Sequence, residues 1–278
     1  MLLKMKKKLN WFICLTIGVF AFAACSDDEG GSGEGKGTVK NISVQVEKGS
    51  TFSSLIDSVF VESQFGEFWG EEIIARSAYK GGNFILNLPN ELDDSLLEPM
   101  YYGDEEENGF IRYMTISDKS TKCFSFESLY AYSKKDGYVG YITRSNIDMN
   151  ELMDVKDEDE FMSLLSKGIY LVVYMYVDRD VTISGSYTAK GEEMEDEYSM
   201  NLSLQKGWNV VATKMSMQIN KAKKTATVEY TSSVPSGLKW HFYNYSYLYD
   251  DIQPLSALKS SSKSAPLFKK ANIFKSVR

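Results

Sequence analysis

Apolar and polar residues alternate along much of the chain, which is the pattern of β-strands that bury one face. The clearest example is the set Ile42, Val44 and Val46, in which a polar residue separates each member from the next. Short β-prone runs continue to residue 116, and six further runs follow residue 168: 169–177, 181–188, 198–204, 210–217, 225–231 and 239–249. Because their connections are short, we expect an all-β fold of antiparallel β-sandwich modules, with these six strands in a meander.

Two glycine-containing segments predict hairpin turns, because glycine adopts the positive φ angles that tight turns need. The first is Lys80-Gly81-Gly82-Asn83, between two short apolar runs. The second is Lys134-Lys135-Asp136-Gly137, which joins the β-prone runs 124–132 and 138–143. We therefore expect each turn to connect two strands that pair with one another.

One segment departs from the strand pattern. Residues 154–167 place apolar side chains three and four positions apart, which predicts a short helix with Asp154 or Asp157 as its N-cap. We place this helix at the seam between two sandwich modules, residues 38–150 and 151–251. A boundary near residue 105 is the alternative.

The beginning of the chain has the pattern of a secretory leader. Four lysines within the first eight residues precede an apolar run from residue 9 to residue 24. As a helix this run would be about 24 Å long, which is shorter than the roughly 30 Å hydrocarbon core of a bilayer. The pattern therefore predicts a signal peptide over residues 1–24 rather than a permanent membrane span.

Ala23-Ala24-Cys25, followed by Ser26, resembles the processing site of a bacterial lipoprotein precursor. The resemblance implies cleavage before Cys25 and acylation of its sulfur by chains such as palmitate. Phe22 departs from the pattern, which usually has leucine three residues before the cysteine. Residues 26–29 are similar to the export signal of Bacteroidota-type lipoproteins, which implies lipid anchoring in the outer membrane with exposure at the cell surface. An ordinary secretory leader that ends near a cysteine is the alternative.

Charge is distributed unevenly beyond the leader. Residues 25–37, which begin at the cysteine, are rich in glycine and predict a flexible tether. Residues 25–251 hold 21 basic and 38 acidic residues, whereas residues 252–278 form a tail with six basic and no acidic residues. The acidic body disfavours nucleic acid as a partner.

Two stretches carry a further resemblance. Residues 56–61 and 74–89, in which a glycine turn precedes an apolar strand that ends in Leu88-Pro89, are similar to prealbumin-like (transthyretin-like) modules. Residues 202–210 look like the strand-turn-strand of Bacteroidota-type surface lipoproteins. The resemblance implies sandwich modules of the prealbumin or immunoglobulin type, and it implies no particular activity.

The chain offers little material for catalysis. It has one histidine, His241, and none of the common motifs for a nucleophilic serine, a zinc protease or a phosphate-binding loop. Its carboxylate runs, such as 104–107 and 157–160, have the pattern of a solvated acidic surface, although calcium at 104–107 or at Asp178 and Asp180 is an alternative. We therefore expect no enzyme activity, no cofactor and no metal site.

The last predicted strand is the most suggestive segment. Period-two alternation places Trp240 and Phe242 on its core face and His241, Tyr243, Tyr245, Tyr247 and Tyr249 on the other. These tyrosines would either stabilise the sheet through cross-strand pairing or form a flat platform for sugar rings. We therefore expect a non-catalytic binding module for a glycan or for a partner protein of an uptake complex, with Tyr243, Tyr245 and Tyr247 as ligand-binding residues. A fimbrial or pilus-type subunit or adhesin is the alternative, and a hydrolase is a third.

Overall fold

The computed structural model describes residues 39–63, 72–101, 113–155, 157–191, 194–220 and 223–244. The predicted leader, tether and basic tail lie outside these residues, as do Cys25, Tyr245 and Tyr247. The described part contains fifteen strands: β1 Asn41–Gln45, β2 Ser58–Glu62, β3 Ile73–Ala78, β4 Asn83–Asn87, β5 Glu98–Pro99, β6 Thr115–Ile116, β7 Lys122–Phe126, β8 Ser128–Ser133, β9 Gly137–Ser145, β10 Ile169–Val177, β11 Val181–Lys190, β12 Met194–Leu204, β13 Gly207–Asn220, β14 Lys223–Thr231 and β15 Lys239–Asn244. The predicted all-β fold is confirmed.

The region in which the sequence predicts one helix contains two α-helices, α1 (Met149–Asp154) and α2 (Glu158–Lys167). Asp157 is the N-cap of α2, and its side chain accepts hydrogen bonds from the backbone N–H groups of Asp159 and Glu160. Gly168 ends the helix with φ of 87°. The predicted helix is therefore confirmed from Asp157 onwards, and the turn before it forms a separate helix that Asp148 caps.

The strands form a two-stranded sheet of β1 and β4 and a thirteen-stranded sheet with the order β3-β2-β8-β9-β10-β13-β14-β12-β11-β6. In addition, β15 pairs with β9, β7 with β10, and β5 with β7. The pairs are antiparallel except for β12 and β14, which run parallel. The predicted meander is therefore wrong, because β14 lies between β12 and β13, and β15 pairs with β9 instead of β14.

Both predicted hairpin turns form, but only the second joins a pair of strands, because antiparallel pairing at the first is limited to Lys80 and Asn83. β8 and β9 pair across the turn that ends at Gly137, as the sequence predicts. Gly81 and Gly82 do form a tight turn with φ of 62° and 90°, but the strands on either side of it pair elsewhere, β3 with β2 and β4 with β1. This turn therefore carries the chain from the large sheet to the small one.

The two sheets enclose the largest hydrophobic core, which gives the fold its sandwich character. Ile42 and Val44 from β1 and Leu86 from β4 pack in one cluster with Ile142 and Trp208 of the large sheet. A second core lies around Met175, Ile183 and Leu202, and a third lies beneath α2 around Leu165 and Met215.

Hydrogen bonds connect the two segments that the sequence predicts as separate modules. β10 pairs with both β7 and β9, and β15 pairs with β9 along its whole length. Trp240 and Phe242 of β15 also belong to the same core as β1 and β4. The two segments thus share a sheet and a core, while the domain boundary itself stays a prediction.

Candidate functional site

Aromatic residues from four neighbouring strands, with an arginine from a fifth, meet in one row across the large sheet. In the register of the sheet, Arg76 lies opposite Phe60, Phe60 opposite Tyr130, Tyr130 opposite Tyr141, and Tyr141 opposite Tyr243. Residues that lie directly opposite one another in neighbouring strands share a face of the sheet. A second pair, Tyr132 and Tyr138, lies beside this row. We call the six rings the tyrosine cluster: Phe60, Tyr130, Tyr132, Tyr138, Tyr141 and Tyr243.

The rings of the tyrosine cluster are close but tilted. Tyr138 lies near the middle, with its centroid 5.6 Å from Phe60, 5.8 Å from Tyr130 and 6.0 Å from Tyr132, at interplanar angles of 60–89°. Tyr130 and Tyr141 are 5.2 Å apart and inclined at 56°. Such edge-to-face contacts stabilise aromatic pairs. Phe60 and Tyr130 stack at 5.7 Å and 19°, and because the other pairs are tilted the cluster presents a rugged aromatic surface. The flat platform expected along β15 stays a prediction, because Tyr245, Tyr247 and Tyr249 lie outside the described residues.

Exposure differs within the cluster. Phe60 is buried, since Arg76, 5.0 Å from its centroid, and the surrounding tyrosines cover its ring. The five tyrosines are half-buried, and each leaves part of its surface to solvent. A ligand could therefore reach the tyrosines but not Phe60, whose role is to support them.

Polar and charged groups border the tyrosine cluster. The Tyr138 hydroxyl donates to Glu62 Oε2 at 2.9 Å, and the exposed Arg76 lies at the β3 end of the row. Burial raises the pKa of Glu127, which lies between β7 and β8, to about 7. Burial also raises the pKa of Tyr130, and it raises that of Tyr243 to about 12. Near neutral pH Tyr130 and Tyr243 therefore keep their protons.

The structure confirms which face of β15 belongs to the core. Trp240 and Phe242 are 7% and 3% exposed, whereas Tyr243 is half-buried on the opposite face. Of the three predicted ligand-binding tyrosines, Tyr243 lies in the cluster, and Tyr245 and Tyr247 fall outside the described residues. Their role stays a prediction, as does the lipidation of Cys25.

Sequence reasoning missed the other members of the cluster, which come from β2, β8 and β9. A signal for two of them was present, because Tyr132 and Tyr138 flank the turn at 134–137 and a hairpin places such residues opposite one another. No local signal places Phe60 or Tyr243 beside this hairpin, since both depend on pairing with distant strands.

His241 lies on the cluster side of β15, one pair away from Tyr243. Its Nδ1 is 4.0 Å from Asp148 Oδ2, and burial of the ring lowers its pKa. Close by, Thr143 Oγ1, Asn150 Oδ1 and the Tyr243 hydroxyl are buried, and no described residue forms a hydrogen bond with them. The histidine is thus a largely buried strand residue beside an acidic helix cap.

The remaining candidates for chemistry are held in structural roles. Burial raises the pKa of Cys123 to about 12, so its thiol stays protonated at neutral pH. Asp178 pairs with Arg179 at 2.7 Å and also accepts a hydrogen bond from the backbone of Lys122. Asp180 accepts from the backbone of Lys206. In the part of the chain that the structure describes, no group of three potential metal-ligating side chains comes together, and residues 104–107 lie outside that part.

Comparisons with protein-family models, with curated proteins and with solved structures find no match to this chain. The resemblances to lipoproteins and to prealbumin-like modules therefore stay predictions. Within the described ranges, neither helix is long and apolar enough to cross a bilayer. The fold and the aromatic surface define an all-β, sandwich-like protein with a tyrosine-rich face.

Proposed function

We propose that this protein is a lipid-anchored outer-membrane protein whose folded body binds saccharides without catalysing a reaction, through the tyrosine cluster. The observation that carries the binding function is the set of half-buried tyrosines that the neighbouring strands β8, β9 and β15 bring together on one face. The location is proposed from the leader and Cys25.

Several features of the cluster support a saccharide as the ligand. The apolar face of a sugar ring packs on aromatic rings, while its hydroxyls need hydrogen-bond partners at the rim. The tyrosine rings provide the aromatic packing surface. Glu62, Arg76 and the tyrosine hydroxyls provide the hydrogen-bond partners. A rugged surface with tilted rings favours contact with single sugar units over the stacking of a flat chain.

Binding to a printed array of host and plant glycans tests the proposal, with the full chain purified in detergent. Tyr141→Ala removes a half-buried ring from the middle of the row and is expected to abolish the array signal. Tyr187→Ala is the matched control, because Tyr187 is also a half-buried, stacked tyrosine, 4.0 Å from Tyr113, but lies on β11 at the far side of the sheet. Equal signals from both variants would remove the proposal. If no glycan on the array binds and the chain captures one outer-membrane protein, the ligand of the cluster is a protein partner and not a saccharide.

Labelling with palmitate tests the anchor separately. We expect the wild-type chain to incorporate label and Cys25→Ala to incorporate none, because a sulfur at position 25 is the acceptor. Equal label in both would exclude lipidation at Cys25 without affecting the saccharide proposal.

One observation favours a second candidate function, that of a fimbrial subunit. β1 inserts Ile42 and Val44 into the main core, yet among the described strands its ladder of pairs runs only with β4, and only the adjoining Val46 bridges to Trp240 of β15. A strand of this kind could be exchanged for one donated by another subunit. Subunits of a polymer would run as ladders in unboiled gels, whereas a binding module would run as a single band.

A further inference from the structure

The β12–β13 connection opens into a fork. The two strands follow one another through a short turn at residues 205–206, but β14 lies between them, parallel to β12 and antiparallel to β13. The last pairs of β14 join Thr231 to Asn201 and to Ala212. β12 continues for three residues, 202–204, beyond its last pair with β14. The space between the two strands at this end is therefore not filled by a strand.

A cavity of about 400 Å³ lies beside this end of β14; β11, β12 and residues 231–233 line it, and no residue of β13 does. Seven polar residues line it, namely Asn201 and six residues that carry a hydroxyl group: Thr182, Ser184, Ser203, Thr231, Ser232 and Ser233. The two apolar lining residues, Ile183 and Leu202, are almost fully buried in the second core. No charged side chain lines the cavity. We call this space the fork cavity.

Hydrogen bonds hold the rim of the fork cavity in place. Ser232 Oγ donates to the backbone oxygen of Asn201 at 3.2 Å, and Thr231 Oγ1 accepts from the backbone N–H of Ser233 at 3.2 Å. Thr182, Ser184, Asn201 and Ser203 are exposed. These hydrogen bonds thus fix the C-terminal end of β14 and the residues that follow it. The polar side chains on β11 and β12 face solvent.

We propose that the fork cavity is a second binding site and that it takes one neutral sugar unit. A sugar hydroxyl both donates and accepts, as do the serine and threonine hydroxyls of the lining, so the two sets can pair in either direction. A charged ligand would lose water in this cavity without meeting a charge of opposite sign. The volume lies at the lower end of the range for small-molecule sites, which suits a single ring.

Strand addition by a peptide is the competing use of an open strand edge. Here the edge of β12 beyond β14 is only three residues long, and Ser232 and Ser233 close it at one end. The cavity is therefore too short for a peptide strand. The inference extends the proposed saccharide binding to a site that shares no residue with the tyrosine cluster.

Saturation-transfer NMR with the full chain tests this site, with methyl glucoside, methyl galactoside and glucuronate as probes. We expect transfer to at least one neutral methyl glycoside and none to glucuronate. In Asn201→Ala/Ser203→Ala the loss of two side-chain hydrogen bonds is expected to weaken binding about tenfold. Ser186→Ala/Ser199→Ala is the matched control, because these two residues are paired on the same strands outside the cavity, and it should bind as the wild type does.

The outcomes distinguish the two sites. Signal that survives Tyr141→Ala but is lost in Asn201→Ala/Ser203→Ala supports the fork cavity, whatever the array shows for the tyrosine cluster. A signal in the double variant as strong as that of the wild type, or absence of transfer to every neutral probe at millimolar concentration, overturns the inference. Stronger transfer to glucuronate than to the neutral glycosides also overturns it. Because Asn201 and Ser203 are exposed, an unchanged melting temperature is expected to confirm that the double variant is folded.

Discussion

Tyr243→Phe is expected to stabilise the protein. The Tyr243 hydroxyl is buried, and no described residue forms a hydrogen bond with it, whereas its ring lies opposite Tyr141 in the cluster. Burying a hydroxyl without a partner costs about 1–3 kcal/mol. Phenylalanine keeps the ring and removes only the oxygen. The free energy of unfolding should therefore rise by about 1–2 kcal/mol, which corresponds to a rise in Tm of a few degrees for a chain of this size.

Tyr79→Phe is the matched control, with the opposite expected sign. Tyr79 is also a buried tyrosine of the large core, 7% exposed, but its hydroxyl donates to the backbone oxygen of Gly49 at 2.8 Å. The same substitution there leaves a buried carbonyl without its partner. We expect the free energy of unfolding to fall by about 1–2 kcal/mol.

Urea unfolding at pH 7, followed by both circular dichroism and tryptophan fluorescence, measures the two effects. At this pH both tyrosines are protonated, since burial raises each pKa to about 12. Coincident transitions would validate the two-state treatment. If Tyr243→Phe loses as much stability as Tyr79→Phe, the Tyr243 hydroxyl has a partner in the folded chain, and the reasoning is refuted.

Three further variants or reactions test other features. Because the fold favours protonated Glu127, with a pKa of about 7 against an ordinary value of 4.5, stability should fall as pH rises from about 4.5 to 7. Glu127→Gln should remove that decline in urea titrations at pH 5 and pH 8, and an unchanged decline would contradict the assignment. Cys123 should resist iodoacetamide at pH 8 until the chain unfolds, as peptide mapping would show; rapid labelling of folded protein would contradict its burial. Gly140→Ala should cost at least about 2 kcal/mol, because its Cβ would overlap the Tyr243 carbonyl oxygen and lie 2.8 Å from the Phe242 ring. Gly137→Ala meets nothing within 4 Å and should cost less.

Local pattern predicted the strands well. The run 169–177 is β10 to the residue, and the Trp240 face of β15 is buried as alternation requires. The helix cap was also predictable, with Asp157 as one of two candidates. These features depend on side chains within a few positions of one another, so the sequence carries the necessary information locally.

The candidate site could be predicted only in part, because most of its residues come from segments that are distant in sequence. Tyr243 was identifiable from its own strand, but Phe60, Tyr130 and Tyr141 reach it through three successive strand pairings. One of these brings β15 to β9, which lies far away in sequence. The fork cavity has no local signal, since it exists because β14 lies between two strands that follow one another along the chain.

The sequence by itself determined that this chain is all-β, where most of its strands run and which face of β1 and of β15 enters the core. Only the tertiary structure decided which strands are neighbours, and with that the tyrosine cluster and the fork cavity. The physical reason is that a strand with period-two alternation can pair with many others at similar local cost. Its actual neighbour is selected by long-range packing of the whole core, such as that of Trp208 against Phe124 and Phe126.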